Sequence, residues 1–229
     1  MTALAQHPQS ATLLAFPGAA PHLSSGVIAT ALRRHRLPER LAAQLLRATV
    51  GSADPQIALA EALDTRMTAE PLDLETARPI LLIGESGAGK SAVAAAIAAR
   101  AGREILLLGA QDGLAQLRAG TLPRGPLVVM EADGFHPLNP KARGAFAALN
   151  DAEGVLAVGV VSATGDAEDT ADMVSALRFR RLVVTGLDRA RRLGALTAAA
   201  ASGACLAHVL KGGVLENLYP DDLAAALLA

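Results

Sequence analysis

Cysteine occurs once in this chain, at Cys205. A lone thiol excludes an internal disulfide framework and fits a reducing, cytoplasmic setting. Aromatic residues make up only 2% of the 229 residues, and tryptophan is absent. A core without rings must be assembled from Ala, Leu and Val, which favours helices packed closely on a buried sheet. The formal net charge is −1, so the basic surface of a nucleic-acid binder is missing and no nucleic-acid partner is expected. Long apolar runs are missing too: no stretch reaches the ~18 consecutive apolar residues of a membrane helix. Near the start, Ala11-Thr12-Leu13-Leu14-Ala15-Phe16 is apolar, but it lacks a basic flank and breaks at Pro17, which is not a signal-peptide pattern. Residues 1–21 therefore read as a flexible tail. The alternative is a docking peptide for a partner or for a membrane surface, with peripheral attachment at its inner face.

What is present changes character along the chain. Residues 22–70 read as helices only, a small N domain. Leu32, Leu37, Leu41, Leu45, Leu46 and Val50 recur near helical spacing. Pro38 suits a helix opening, Gly51 and Ser52 suit its end, and Pro55 opens a second helix over Gln56–Met67. Thr68–Pro79 reads as a linker. From there to residue 229, apolar runs at Ile80–Ile83, Ile105–Leu108, Leu127–Met130, Val155–Val161, Leu182–Thr185 and Cys205–Val209 alternate with Ala-rich helical stretches. Runs without polar alternation suit strands buried on both faces. Strand–helix alternation predicts an α/β fold, a mostly parallel sheet flanked by helices, for a nucleotide-binding domain over 71–229.

One motif carries specific chemistry. Gly84-Glu85-Ser86-Gly87-Ala88-Gly89-Lys90-Ser91 matches the phosphate-binding loop in full, with an apolar run before it and the helical run Ala92–Ala101 after it. Its glycines let backbone amides converge on phosphate oxygens at a helix N-terminus. Lys90 is the candidate catalytic residue, placed to bridge the β- and γ-phosphates, and the Ser91 hydroxyl is placed to ligate Mg²⁺. Glu85 excludes the ATPases that carry an extra lysine at that point of the loop.

Two further strand ends bear acidic residues, and ligands gather at such ends in open α/β sheets. Leu127-Val128-Val129-Met130 ends in Glu131, a candidate Mg²⁺ ligand, with Asp133 as a rival. Gly134 follows at the spacing that would present an amide to the γ-phosphate. The bland reading is a strand followed by a solvated acidic loop. Leu182-Val183-Val184 leads into Thr185-Gly186-Leu187-Asp188. Asp188 is placed to accept hydrogen bonds from guanine N1 and N2, so GTP or GDP is the expected occupant. The bland reading makes Asp188 a helix N-cap.

Residues 184–196, with Thr185-Gly186-Leu187-Asp188 and Arg191-Arg192-Leu193-Gly194-Ala195-Leu196, resemble the "TKLD…RLGGLL" stretch of the signal-recognition-particle GTPases. Gln44–Val50 resembles the "ALLEADV" of that family's N domain, Lys211-Gly212-Gly213 its closing loop, and Pro220-Asp221-Asp222-Leu223 its "PEDL" ending. Within the family the flagellar-placement GTPases stand nearest. The resemblance implies an NG-domain fold, a GTP-binding regulator that works with a protein partner or as a homodimer, and Gly212 at the nucleotide. It also exposes departures. Gly186 replaces a lysine, Phe135 an arginine and Glu131 an aspartate. The segment from Leu108 to Leu117 leaves no room for the family's Asp-Thr-x-Arg insertion, with Asp112 as a remnant at most. Hydrolysis is therefore expected to be slow, unless Arg143 or Arg191 of a second copy supplies charge. Among lesser features, His136 reads as a loop histidine, His208 as a core or edge histidine of an apolar strand, Arg189, Arg191 and Arg192 as a solvated cluster or a domain seam, and Cys205 as a buried strand residue.

Overall fold

The change from helical to strand–helix periodicity near Pro79 is the main division of the observed elements. The computed structural model describes residues 20–50, 53–75, 78–132, 134, 144–146, 148–149 and 151–229. The expectations placed on the tail before residue 20, on Gly51 and Ser52, and on Asp133, Phe135, His136 and Arg143 lie outside those residues.

The helices α1 (Ala20–Arg34), α2 (Glu39–Ala48) and α3 (Pro55–Asp64) come first. Asp54 caps α3 by accepting from the amides of Gln56 and Ile57 at 2.8 and 3.2 Å, and Pro55 occupies the first turn, where no amide is needed. There follow β1 (Thr68–Ala69), β2 (Ile80–Gly84), α4 (Lys90–Ala101), β3 (Ile105–Gly109), α5 (Ala110–Ala119), β4 (Leu127–Glu131) and β5 (Leu156–Ser162). The chain continues through α6 (Ala167–Leu177), β6 (Arg181–Thr185), α7 (Gly194–Ala200), β7 (Cys205–Lys211), β8 (Val214–Glu216) and α8 (Pro220–Leu228).

The strands form one sheet in the order β1-β7-β6-β5-β2-β4-β3, parallel throughout, with β8 antiparallel on β7. β2 is central and fully buried, paired to β5 on one side and β4 on the other. From β2 the chain crosses to the β3–β4 side and later to the β5–β7 side. The strand order reverses there, which opens a crevice at the carboxyl end of β2. Alternate residues serve opposite faces. Leu81, Ile83, Val128, Met130 and Val184 join the core under α5, α6, α7 and the helical bundle, whereas Ile80, Leu82, Val129 and Val183 pack beneath α4.

Three expectations change. The region read as helix and linker contains β1, whose two residues pair with Cys205 and Leu206 and cover the backbone edge of β7. Among the described residues Ile105–Leu108 forms an edge strand, and it is not buried on both faces: Leu107 is 53% exposed. Cys205 is half-buried rather than buried, at the β1 margin, with burial as the main cause raising its pKa. The bundle also includes the C-terminal helix. α8 lies against α3 and α1, and Leu223, Ala224 and Leu227 share a core with Leu59 and Leu63. No described helix is long and apolar enough to cross a membrane.

Candidate functional site: a phosphate loop and its neighbours

The loop between β2 and α4 occupies the crevice, and glycine is required at specific points. A side chain on Gly84 would strike the carbonyl oxygen of Val160 on β5. Gly87 and Gly89 have φ of +80° and +94°, which other L-residues rarely adopt. α4 then begins at Lys90, and its first i→i−4 bond runs from Val93 N–H to Gly89 O at 3.0 Å. The first turn of α4 thus faces the loop, and a helix N-terminus favours an anion. Ala88 is buried and anchors the loop. Lys90 Nζ donates to the carbonyls of Gly84 and Glu85 at 3.1 and 2.9 Å, so the ammonium lies over the loop itself. Glu85 is partly buried, while Ser86 and Gly87 are exposed.

Ser91 Oγ donates to Glu131 Oε2 at 2.8 Å, which brings together the two residues expected to hold Mg²⁺. Glu131 Oε1 is buried without a hydrogen-bond partner among the described residues. An orphaned carboxylate oxygen beside a hydroxyl is costly unless a donor or cation satisfies it. The donor set, hard oxygens only, fits Mg²⁺ or its water ligands. Gly134 also reaches the loop: a Cβ there would stand 2.6 Å from Ser86 N and overlap Ser86 Cα. Gly134, three residues beyond β4, therefore lies against the phosphate loop at a point where a side chain would not fit.

The segment from Thr185 to Asp188, expected to read the base, is arranged differently. Thr185 Oγ1 donates to Ala88 O at 2.6 Å and is buried. Its hydroxyl ties β6 to the phosphate loop, and its side chain packs on Gly89. Gly186 has φ +71° and is buried, a backbone conformation that disfavours the lysine found here in the resembling family. Asp188 is exposed. It caps no helix, because α7 starts at Gly194 after Leu193 with no side-chain cap. The N-cap reading of Asp188 is thereby excluded. Gly212 and Gly213, at φ +55° and +82°, form the two-residue turn of the β7–β8 hairpin.

The loop after Asp188 runs into a seam, the alternative reading of the arginine cluster, whose contacts through Gly194 and His35 sequence reasoning missed. A Cβ on Gly194 would stand 2.5 Å from His35 O and 2.6 Å from Arg36 O, so only glycine lets α7 approach the α1–α2 corner. Leu193 N–H donates to His35 Nδ1 at 3.1 Å, and Arg34 Nη2 donates to Leu227 O at 2.9 Å. Burial, reinforced by the charge of Arg34, lowers the His35 pKa and favours the neutral ring that this acceptor role needs. On the opposite face, His208 Nε2 accepts from Leu72 N–H at 3.1 Å. It is a core histidine rather than an edge one, and burial lowers its pKa as well.

No protein-family model matches the chain, and no curated protein matches it by sequence. Solved structures do resemble it. FlhF complexed with GTP/Mg²⁺ superimposes with a TM-score of 0.68 at 16% identity, over 90% of this chain and 99% of that one. The receptor FtsY from Mycoplasma mycoides gives a TM-score of 0.60 at 10% identity, over 91% and 94%. The signal recognition particle 54 kDa protein from Aeropyrum pernix K1, in complex with GDP, gives 0.54 at 20% identity, over 90% of this chain and 62% of that one. The fold is that of the signal-recognition-particle GTPases, a P-loop sheet with a helical bundle.

Proposed function

We propose that the chain is a guanine-nucleotide-binding regulator with slow or absent intrinsic hydrolysis. The observation that carries this is the convergence of Lys90, Ser91 and Glu131 on one phosphate loop at the sheet's switch point. In this reading the first-turn amides of α4 and Lys90 hold the phosphates. Ser91 and Glu131 hold Mg²⁺, which would neutralise phosphate charge. Gly134 lies near enough to the loop to sense the terminal phosphate, and Asp188 selects guanine. The FlhF structure named above, with its GTP and Mg²⁺, supports this choice of ligand.

Slow hydrolysis is inferred from what surrounds the loop. β3 passes directly into α5 through Gly109 and Ala110, without an inserted segment to carry a catalytic arginine. Phosphoryl transfer rests on positioning and on charge at the transition state, and removing an arginine finger lowers rates ~10³-fold or more. The regulatory output would be assembly. Nucleotide state would shift the seam at Gly194 and His35, and a protein partner or second copy would read the shift. The proposed moving parts are the helical bundle, α1–α3 with α8, and the sheet with its remaining helices. A flagellar role rests only on the likeness to FlhF.

Single-turnover GTP hydrolysis over a protein dilution series tests this. The expected rate is about 10⁻⁴ to 10⁻³ s⁻¹ or lower, rising with protein concentration only if a second copy supplies charge. A rate near ~1 s⁻¹ at every dilution would identify an active hydrolase and overturn the regulatory reading.

A further inference from the structure

The α1–α2 corner at His35 and Arg36, the loop 163–167 and the loop 189–195 enclose a cleft of about 520 Å³. None of the phosphate loop, Glu131 or Asp188 lines it. Its charge is one-sided. Arg36, Arg189, Arg191 and Arg192 face a single carboxylate, Asp166. That carboxylate is already engaged, because its Oδ1 accepts the amides of Glu168 and Asp169 at 2.8 and 3.3 Å to cap α6. The four arginines are exposed, and none forms an ion pair among the described residues.

Arg36 adds an independent observation. Its φ is +53°. It closes α1 with Arg36 N–H to Arg33 O at 3.0 Å and Leu37 N–H to Leu32 O at 3.1 Å, the helix ending at which glycine is the unstrained residue. An arginine is carried there against the backbone preference, and the residue lines the cleft. Guanidinium forks recognise phosphate through paired hydrogen bonds. The recess is walled by three loops, which suits a small ligand better than a flat surface.

We propose that this cleft binds a small soluble anion carrying two or more phosphate groups. Bound there, the anion bridges Arg36 of the helical bundle to Arg191 of the sheet loop and favours one arrangement of the seam. Amide NMR spectra of the full chain carrying Lys90→Ala, titrated with inorganic pyrophosphate, test the site with the phosphate loop disabled. Saturable shifts are expected at Gly165, Arg191 and Gly194. Arg36→Gly and Arg191→Ala should each weaken binding by about 10-fold or more. Arg36→Gly also removes the strained backbone, so its melting temperature should be unchanged or higher, which separates lost binding from lost folding. Unchanged affinity in Arg36→Gly, shifts that do not saturate, or shifts elsewhere would overturn the proposal. Flotation with phosphatidylglycerol vesicles should leave the protein in the soluble fraction. Vesicle binding that disappears in Arg36→Gly would overturn the soluble-ligand assignment in favour of a lipid headgroup.

Discussion

At the proposed phosphate end of the site, β2 and β4 are buried almost to their last residue, Lys90 donates to the loop carbonyls of Gly84 and Glu85 at 3.1 and 2.9 Å, and Ser91 donates to Glu131 at 2.8 Å. At the proposed base end, burial stops at Gly186, and Asp188 stands exposed on a loop whose far end is tied to the helical bundle through Gly194. The first end is positioned by the buried strands of the sheet. The second is positioned by a seam between the sheet and the helices. Phosphate affinity should therefore be robust, while base choice should depend on how the seam is set.

The largest effect should come from breaking the phosphate end. Lys90→Ala removes the only cation placed on the loop among the described residues. Nucleotide affinity should fall at least ~100-fold by calorimetry, in line with the loss of charge-assisted hydrogen bonds to phosphate. The melting temperature should shift little, because the amine lies over the loop, on the carbonyls of Gly84 and Glu85, and not in the core. Full affinity in this variant would show that the loop does not hold phosphate.

Asp188→Asn breaks the other end and should cost less. Losing a charged acceptor for guanine lowers GTP affinity about 10- to 100-fold and should raise relative affinity for xanthosine triphosphate. ATP affinity should stay level. A drop of equal size for ATP would mean that Asp188 supports the loop rather than reading the base.

The seam can be perturbed without touching either end. In Gly194→Ala the new methyl group meets two backbone carbonyls, which cannot rotate away. Overpacking of this kind destabilises by about 1–3 kcal/mol, or roughly 2–10 °C in melting temperature for a chain of this size. The preference for GTP over ATP should narrow at the same time, whereas a fall in stability with selectivity unchanged would uncouple the base end from the seam.

The smallest effect concerns pH. His35 and His208 both have pKa values held below the ordinary 6.5 by burial. The unfolded chain therefore binds more protons than the folded one as pH drops below that value. Their contribution is full above pH 6.5 and is lost as pH falls from there toward the folded-state values. Melting temperature should decline between about pH 7.5 and 5, and His35→Gln should flatten part of that decline. An unchanged pH profile would show that the seam does not depend on a neutral ring at position 35.

The two ends also differed in how far the sequence disclosed them. The phosphate loop is local: its glycines, lysine and serine lie within eight positions, between two short-range patterns, and each has a stereochemical reason that sequence alone states. Glu131 was legible because a strand end in an α/β sheet is a predictable place. The seam was offered only as one reading of the arginine cluster, and its contacts were not legible, because His35 and Leu193 are 158 residues apart and nothing local to His35 marks it. Gly194 fell inside a quoted motif, but its close approach to a carbonyl depends on where α1 ends. β1 was too short to show a pattern, and the edge position of β3 depends on strand order, which an apolar run does not encode. Thr185 was read as part of a base-recognition motif, yet its hydroxyl holds Ala88 O. A motif gives the residue type without saying which neighbour it serves.

Calorimetric titration of the full chain with GTP, and in parallel with ATP, each with Mg²⁺, examines both ends in a single experiment. The account predicts measurable binding of both nucleotides through the phosphate loop, with GTP favoured by about 10-fold or more through Asp188. Equal affinities would contradict the base-reading role, and no binding of either nucleotide would contradict the central claim that Lys90, Ser91 and Glu131 form a working phosphate site.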